Sequence, residues 1–269
     1  MKKYKRVLSI AGSDPSGGAG IQADLKAFSA CGCFGTTAIV AVVDENTVGV
    51  TGVHPIPVDF VVGQIKSVLD DIGADAIKIG MLHSSELIRA VRDTILPYNI
   101  ENIVLDPVMV ATSGDRLLQE EAIETLKKDL IPHVRILTPN IPEAELILGH
   151  KIESQSDLPT LAQELGETYG ISVLLKAGHL TDDKLIDVFY NVETKGILNL
   201  PSNRVYTKNT HGTGCTFSSA VAAYLAHGLS MDEAVTKAKN YMVMAIEKGA
   251  AYQIGKGHGP VHHFWNFWE

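Results

Sequence analysis

Arg6-Val7-Leu8-Ser9-Ile10-Ala11-Gly12-Ser13-Asp14-Pro15-Ser16-Gly17-Gly18-Ala19-Gly20-Ile21-Gln22-Ala23-Asp24 runs from a short apolar stretch through a glycine-rich turn into a helical one. This is one strand-to-helix step, and the chain repeats it. β-Branched runs recur at Thr37 to Val43, Ile103 to Leu105, Arg135 to Leu137 and Val173 to Leu175, with longer amphipathic stretches between them. In one of those stretches Val58, Val61, Val62, Ile65, Val68 and Leu69 follow the i, i+3, i+4, i+7 rule of a helix with one buried face. Met231, Ala234, Val235, Ala238, Tyr241, Met242, Ala245 and Ile246 do the same. The alternation predicts an α/β fold, a parallel sheet flanked by helices. Past Lys176, Leu185 to Tyr190 and Gly196 to Leu200 read as strands ahead of two closing helices, an antiparallel extension of the sheet. A second ribbon is expected at Thr47 to Val53. No repeat, low-complexity tract or linker interrupts the pattern, so residues 1–269 read as one domain.

Composition narrows the function. With 45% hydrophobic and 20% charged residues, the chain has the balance of a soluble globular protein with a large core. Its 31 acidic and 23 basic residues give a net charge of −8, with no Lys/Arg cluster, which excludes a nucleic-acid footprint or an anionic-membrane surface. The apolar stretch after Arg6 stops at Gly12-Ser13-Asp14, too soon for a signal-peptide core. No apolar run reaches the ~18 residues of a membrane span, so a cytoplasmic location is expected. Cys31, Cys33 and Cys215 are an odd set without framework spacing, which suits a reducing compartment.

The strongest local signal for chemistry is Asn209-Thr210-His211-Gly212-Thr213-Gly214-Cys215-Thr216, directly ahead of a helix with Phe217, Ala220, Val221, Tyr224 and Leu225 on one face. A glycine-rich turn at a helix N-terminus directs several N–H groups and the positive dipole end outward, toward a phosphate or a developing oxyanion. A plain N-cap with glycines for turning is the competing structural reading. At the first turn, Gly18, Gly20 and Ala23 fit a dinucleotide fingerprint, with Asp44 or Glu45 near the place of a ribose-binding carboxylate. Against it, the first fingerprint glycine lies several residues past the strand. The chain lacks a P-loop motif. Asp106 and Glu143 follow apolar strands, where carboxylates can hold Mg²⁺ beside phosphates or simply form turns. Lys176 closes another strand, either as countercharge for phosphates or as a solvated lysine. His258, His262 and His263 lack metal-site spacing and read as tail histidines.

Together, Gly12 to Lys26, Lys78-Ile79-Gly80-Met81-Leu82, Asp106-Pro107-Val108-Met109, Thr138-Pro139-Asn140, His211 to Thr216 and the tail Gly257 to Phe264 closely resemble the hydroxymethylpyrimidine/phosphomethylpyrimidine kinases of thiamine biosynthesis. The resemblance spans essentially the whole chain, in order, and decides against NAD. It implies a ribokinase-like three-layer α/β/α fold, ATP and Mg²⁺, and a homodimer. It also implies site roles: Gly12, Asp24, Glu45, Met81 and Val108 toward the pyrimidine, Asn140, Thr210, Gly212, Gly214 and Lys176 toward ATP, and Asp106 and Glu143 toward the metal. Gly212, Thr213, Gly214, Cys215 and Lys176 then form the catalytic group. Pyridoxal kinases are the nearest rivals, and a non-catalytic vitamin-binding sensor is the alternative of another class. Thr213 and Glu45 favour the pyrimidine enzymes, because a carboxylate accepts hydrogen bonds from the substrate's exocyclic amine.

In related sugar kinases an aspartate base stands where this chain has Cys215. A helix N-terminus lowers a free thiol pKa of ~8.5, which makes Cys215 a candidate base for the hydroxyl proton, although phosphates repel a thiolate. The second transfer starts from a phosphate that is largely ionised already, its second pKa being about 6, and needs no base. On this reading Cys215→Ala slows the first phosphorylation much more than the second.

Overall fold

The apolar runs assemble into one eight-stranded sheet in a computed structural model that describes residues 2–109, 118 and 120–268. Its strands are β1 (Arg6–Ala11), β2 (Phe34–Ile39), β5 (Ala76–Ile79), β6 (Ile103–Leu105), β7 (Ile136–Leu137), β8 (Ser172–Leu175), β9 (Lys184–Asn191) and β10 (Gly196–Asn203), in the order β10-β9-β8-β7-β6-β5-β1-β2. Pairing is parallel from β2 through β8 and antiparallel at β8–β9 and β9–β10, the expected extension. A separate antiparallel ribbon joins β3 (Ala41–Asn46) to β4 (Gly49–Pro55). With one core on each face of the sheet, the chain forms a three-layer α/β/α arrangement with the small ribbon beside it, as expected from its alternation of strands and helices.

Alternate residues of each strand feed two cores. Leu8, Ile10, Ile77, Ile79, Ile103 and Leu105 point toward α2 (Val58–Asp71), α3 (Ser85–Ile95) and α6 (Leu158–Tyr169). Val7, Ala76, Val104, Ile136 and Leu174 point toward α1 (Gly20–Ala30), α7 (Thr213–Ala226) and α8 (Met231–Gly249). Strands covered on both faces carry almost no polar side chain, which is why they read as continuous apolar runs. No described helix is long and apolar enough to cross a membrane.

Two expectations are corrected. Thr37 to Val43 is not one strand: the chain leaves the sheet at Val40, and the Gln64 amide bonds the Ile39 N–H and C=O, each at 3.0 Å. A corner held by a side chain 25 residues away leaves no mark on a β-branched run. The ribbon expected at Thr47 to Val53 starts six residues earlier, and Thr47 and Val48 form its turn.

Candidate active site

The parallel strands end at a common edge, and residues past the ends of five of them, β1, β5, β6, β7 and β8, line a cavity of about 800 Å³. Gly12 follows β1, Gly80 follows β5, Asp106 follows β6, Asn140 follows β7 and Lys176 follows β8. This edge of an open parallel sheet is where such folds bind ligands. The turn Thr210 to Cys215 closes the cavity from the side of α7, and β3 contributes Val43 and Glu45.

Charge is concentrated at the centre. Lys176 Nζ donates to Asp106 Oδ1 at 2.9 Å, with the two side chains 13% and 2% exposed. Burial works to raise the Asp106 pKa, but Lys176 and Lys78 outweigh it and hold the carboxylate below its ordinary range. Lys176 stays charged: burial opposes this, and Asp106 and Glu143 more than compensate. A Cβ built on Gly214 would sit 3.4 Å from both Asp106 Oδ2 and Lys176 Nζ, so the opening turn of α7 faces the ion pair. The first-turn N–H groups at Gly214 and Cys215 have no acceptor four residues back inside the helix and are directed out of its end. Gly212 caps that helix with φ +77°, and a Cβ there would lie 1.7 Å from Gly18 O, so the two glycine-rich turns touch backbone to backbone.

Glu143 faces the same centre from α5 (Ile141–Leu148). It forms a capping box with Asn140, accepting from Asn140 N at 2.8 Å while Asn140 Oδ1 accepts from Glu143 N at 3.0 Å. Burial pushes its carboxyl up to about 7, against the pull of Lys176. Cys215 does not behave as the helix dipole suggests. Burial pushes its thiol up to about 11, although Lys78 and the Gly20 N–H favour the thiolate. The expected depression of this pKa is therefore reversed, because enclosure costs a thiolate more than the helix end returns.

At the other end, Gly12, Met81, Val108 and Glu45 line the cavity together. A one-residue irregularity between Asp44 and Glu45 sets the register there, a bulge of the kind that re-aims a side chain. Beside Glu45 lies a pair the sequence reading did not assign. His211 Nε2 is 2.8 Å from Asp14 Oδ2 and 3.9 Å from Glu45 Oε1. Burial disfavours the imidazolium, but Asp14 and Glu45 outweigh it and raise the His211 pKa. Asp14 also accepts from the backbone N–H groups of Ser16, Gly18 and Ala19, which shapes the first glycine-rich turn.

Asp24 is the site residue the structure places elsewhere. It is fully buried behind the cavity wall, where Lys78 donates to both its oxygens at 2.9 and 3.0 Å, with Ser9 and Ser219 at 2.5 and 2.7 Å. Both carboxylate oxygens are occupied within the protein, so Asp24 holds Lys78 in place and does not line the cavity. Lys78, fully buried yet at the cavity wall, was missed; a lone lysine in a four-residue apolar strand was its available signal. The solvated reading of Lys176 is also overturned by its burial and its ion pair. Helix α7, expected to bury one face, is buried along most of its residues because α1 and α8 flank it.

A family model described as Phosphomethylpyrimidine kinase matches residues 14–262. The hydroxymethylpyrimidine/phosphomethylpyrimidine kinase of Rhizobium meliloti is 44% identical over 263 residues, covering 97% of this chain and 98% of its own. Among solved structures, the phosphomethylpyrimidine kinase of Clostridium difficile is similar at 42% identity and a TM-score of 0.79, covering 90% of this chain and 99% of its own. The Staphylococcus aureus pyridoxal kinase in complex with AMP-PCP and pyridoxal is similar at 35% identity and a TM-score of 0.89, covering 99% and 96%.

Proposed function

The chain belongs to the phosphomethylpyrimidine kinase family, and from that premise we propose that its cleft transfers the γ-phosphoryl group of ATP to 4-amino-5-hydroxymethyl-2-methylpyrimidine and then to the resulting monophosphate. The observation that carries this reading is the meeting of Asp106, Lys176 and the α7 turn across Gly214. Phosphoryl transfer is catalysed mainly by positioning and by countercharge on the oxygens of the moving group, and these three elements supply both. The hydroxymethyl oxygen approaches from the Gly12–Met81–Val108 side, with Glu45 accepting from the exocyclic amine. Gly214 and Cys215 offer N–H groups to the transferring phosphoryl, and Lys176 and Lys78 add positive charge. Asn140 and Thr210, which line the same cavity, are the residues this reading gives to the nucleotide.

Asp106 and Glu143 are hard oxygen donors of the kind Mg²⁺ takes one or two at a time, leaving its other positions to water and phosphate. Glu143, raised to about 7 by burial, is the carboxyl that gains most from a nearby cation. When bound, the ion neutralises phosphate charge. A thiol held near 11 stays protonated at neutral pH, so Cys215 fills the wall and does not take the hydroxyl proton. A homodimeric state and a cytoplasmic setting belong to the same proposal, and three free cysteines suit that setting.

Pyridoxal is the second reading, favoured by the close backbone likeness to a pyridoxal kinase bound to that molecule. Incubation with ATP and Mg²⁺ and either acceptor, followed by measurement of ADP and product masses, separates the two. The proposal expects pyrimidine monophosphate and then diphosphate, with pyridoxal phosphate a minor product. Pyridoxal phosphate alone would overturn it.

A further inference from the structure

The ribbon that carries Glu45 is anchored at its base, where Ser13 N donates to Ala41 O at 2.9 Å and Val43 N to Ser13 Oγ at 3.1 Å. Its tip is gripped by the far end of the chain. His258 N donates to Thr47 O at 2.8 Å, and Lys256 N and Gly257 N both reach Thr47 Oγ1 at 3.2 Å. The approach is so close that a Cβ on Gly257 would lie 1.9 Å from Thr47 O. The same segment then grips the phosphoryl turn: Gly259 O accepts from His211 N at 3.0 Å. Beyond it the chain is fixed. Val261, His262 and His263 are buried, His263 Nε2 is 3.0 Å from Thr216 Oγ1, and Tyr241 donates to His263 O at 2.7 Å.

We propose that residues 255–260 form a strap that holds the acceptor ribbon in register with the phosphoryl turn, and that Thr47 is the positioning residue through which it acts. Glu45 lies two residues from Thr47 on the ribbon, and its neighbour His211 hangs from the strap through its own N–H. One backbone segment thus fixes both members of the Glu45–His211 approach. A ribbon released at its tip samples positions in which Glu45 cannot meet the acceptor, and apparent affinity falls with the competent fraction. The strap touches the acceptor side and one edge of the turn, so nucleotide affinity is expected to be indifferent to it.

The inference rests on the kinase reading only for the choice of acceptor, and its test carries a readout independent of turnover. Thr47→Val keeps the side-chain shape and removes the acceptor of two N–H groups; Gly257→Ala forces the strap off Thr47; Thr47→Ser keeps the oxygen. In Thr47→Val, amide exchange across residues 43–50 accelerates roughly three- to tenfold, the worth of about one net neutral hydrogen bond. Gly257→Ala exceeds that and raises the KM for hydroxymethylpyrimidine by about tenfold or more, with the KM for ATP within about twofold, while Thr47→Ser behaves as the parent. Unchanged ribbon exchange in both Thr47→Val and Gly257→Ala would overturn the proposal. So would equal rises in the two KM values, or a lowered Tm with acceptor KM unmoved. A chain that fails to phosphorylate the pyrimidine at all refutes the functional reading and leaves the exchange test of the strap intact.

Discussion

Replacing Cys215 by Ala removes a thiol that burial pushes up to about 11. Four pH units separate that value from neutrality, so only about one molecule in ten thousand carries a thiolate at pH 7. A well-placed general base contributes roughly 10²- to 10⁴-fold, and weighting that by such a population leaves about nothing to lose. The expected result is a loss of less than about tenfold in kcat for the first transfer, the size of a small packing change. The second transfer should fall by the same factor. This reverses the sequence-based expectation, in which the first step suffers selectively. The assay is rapid quench with hydroxymethylpyrimidine and with its monophosphate supplied separately, each from pH 6 to 9. A first-transfer loss above about a hundredfold with the second unchanged would refute the reasoning, because that ratio is the mark of a lost base. A pH limb present in the parent and absent in the variant would refute it too.

Glu143, raised to about 7, binds a proton more tightly than an ordinary carboxyl, so its charged form is filled only as pH climbs through that value. The KM for MgATP should therefore fall between pH 6 and 8, and Glu143→Gln should flatten the profile; an unchanged slope in the variant counts against a metal-side role. The same sign applies to stability: a raised carboxyl pKa favours the folded chain at low pH and costs stability as pH rises through 7, so the parent should lose Tm over that window relative to Glu143→Gln. Glu45→Gln keeps the shape of the side chain and removes a charged acceptor, a change on the order of 1.5–3 kcal/mol when the partner is a hydrogen-bond donor. The KM for hydroxymethylpyrimidine should rise at least about tenfold and that for pyridoxal much less; parallel rises would move Glu45 out of substrate recognition.

The sheet was legible because strands covered on both faces must be apolar throughout, and Ile103 to Leu105 and Val173 to Leu175 show this plainly. The α7 turn was legible because its glycines and following helix dictate a local geometry whatever surrounds them, and Gly212 adopts it with φ +77°. Direction is what the sequence withholds. Asp24 sits on the first helix beside the glycine-rich turn, yet its side chain faces Ser9, Lys78 and Ser219, each on a different element. The Cys215 thiol illustrates the same limit from the energetic side: the helix end was visible in sequence, whereas the enclosure that outweighs it arises only from packing. Thr47 could not be found because its partners lie about 210 residues away and bond it through their backbone, which any residue type can do.

The central claim is that Asp106, Lys176 and the α7 turn act on one transferring phosphoryl group. Lys176→Met tests it most directly, because Lys78 remains beside Asp106 as a second cation and keeps that buried carboxylate from being stranded. Formation of the pyrimidine monophosphate, followed by mass in single turnovers, should fall roughly 10²- to 10³-fold. ADP binding should stay within about threefold, since the lysine's charge matters most to the group in flight. Retention of full transfer by the variant would contradict the account, as would a loss confined to ADP affinity.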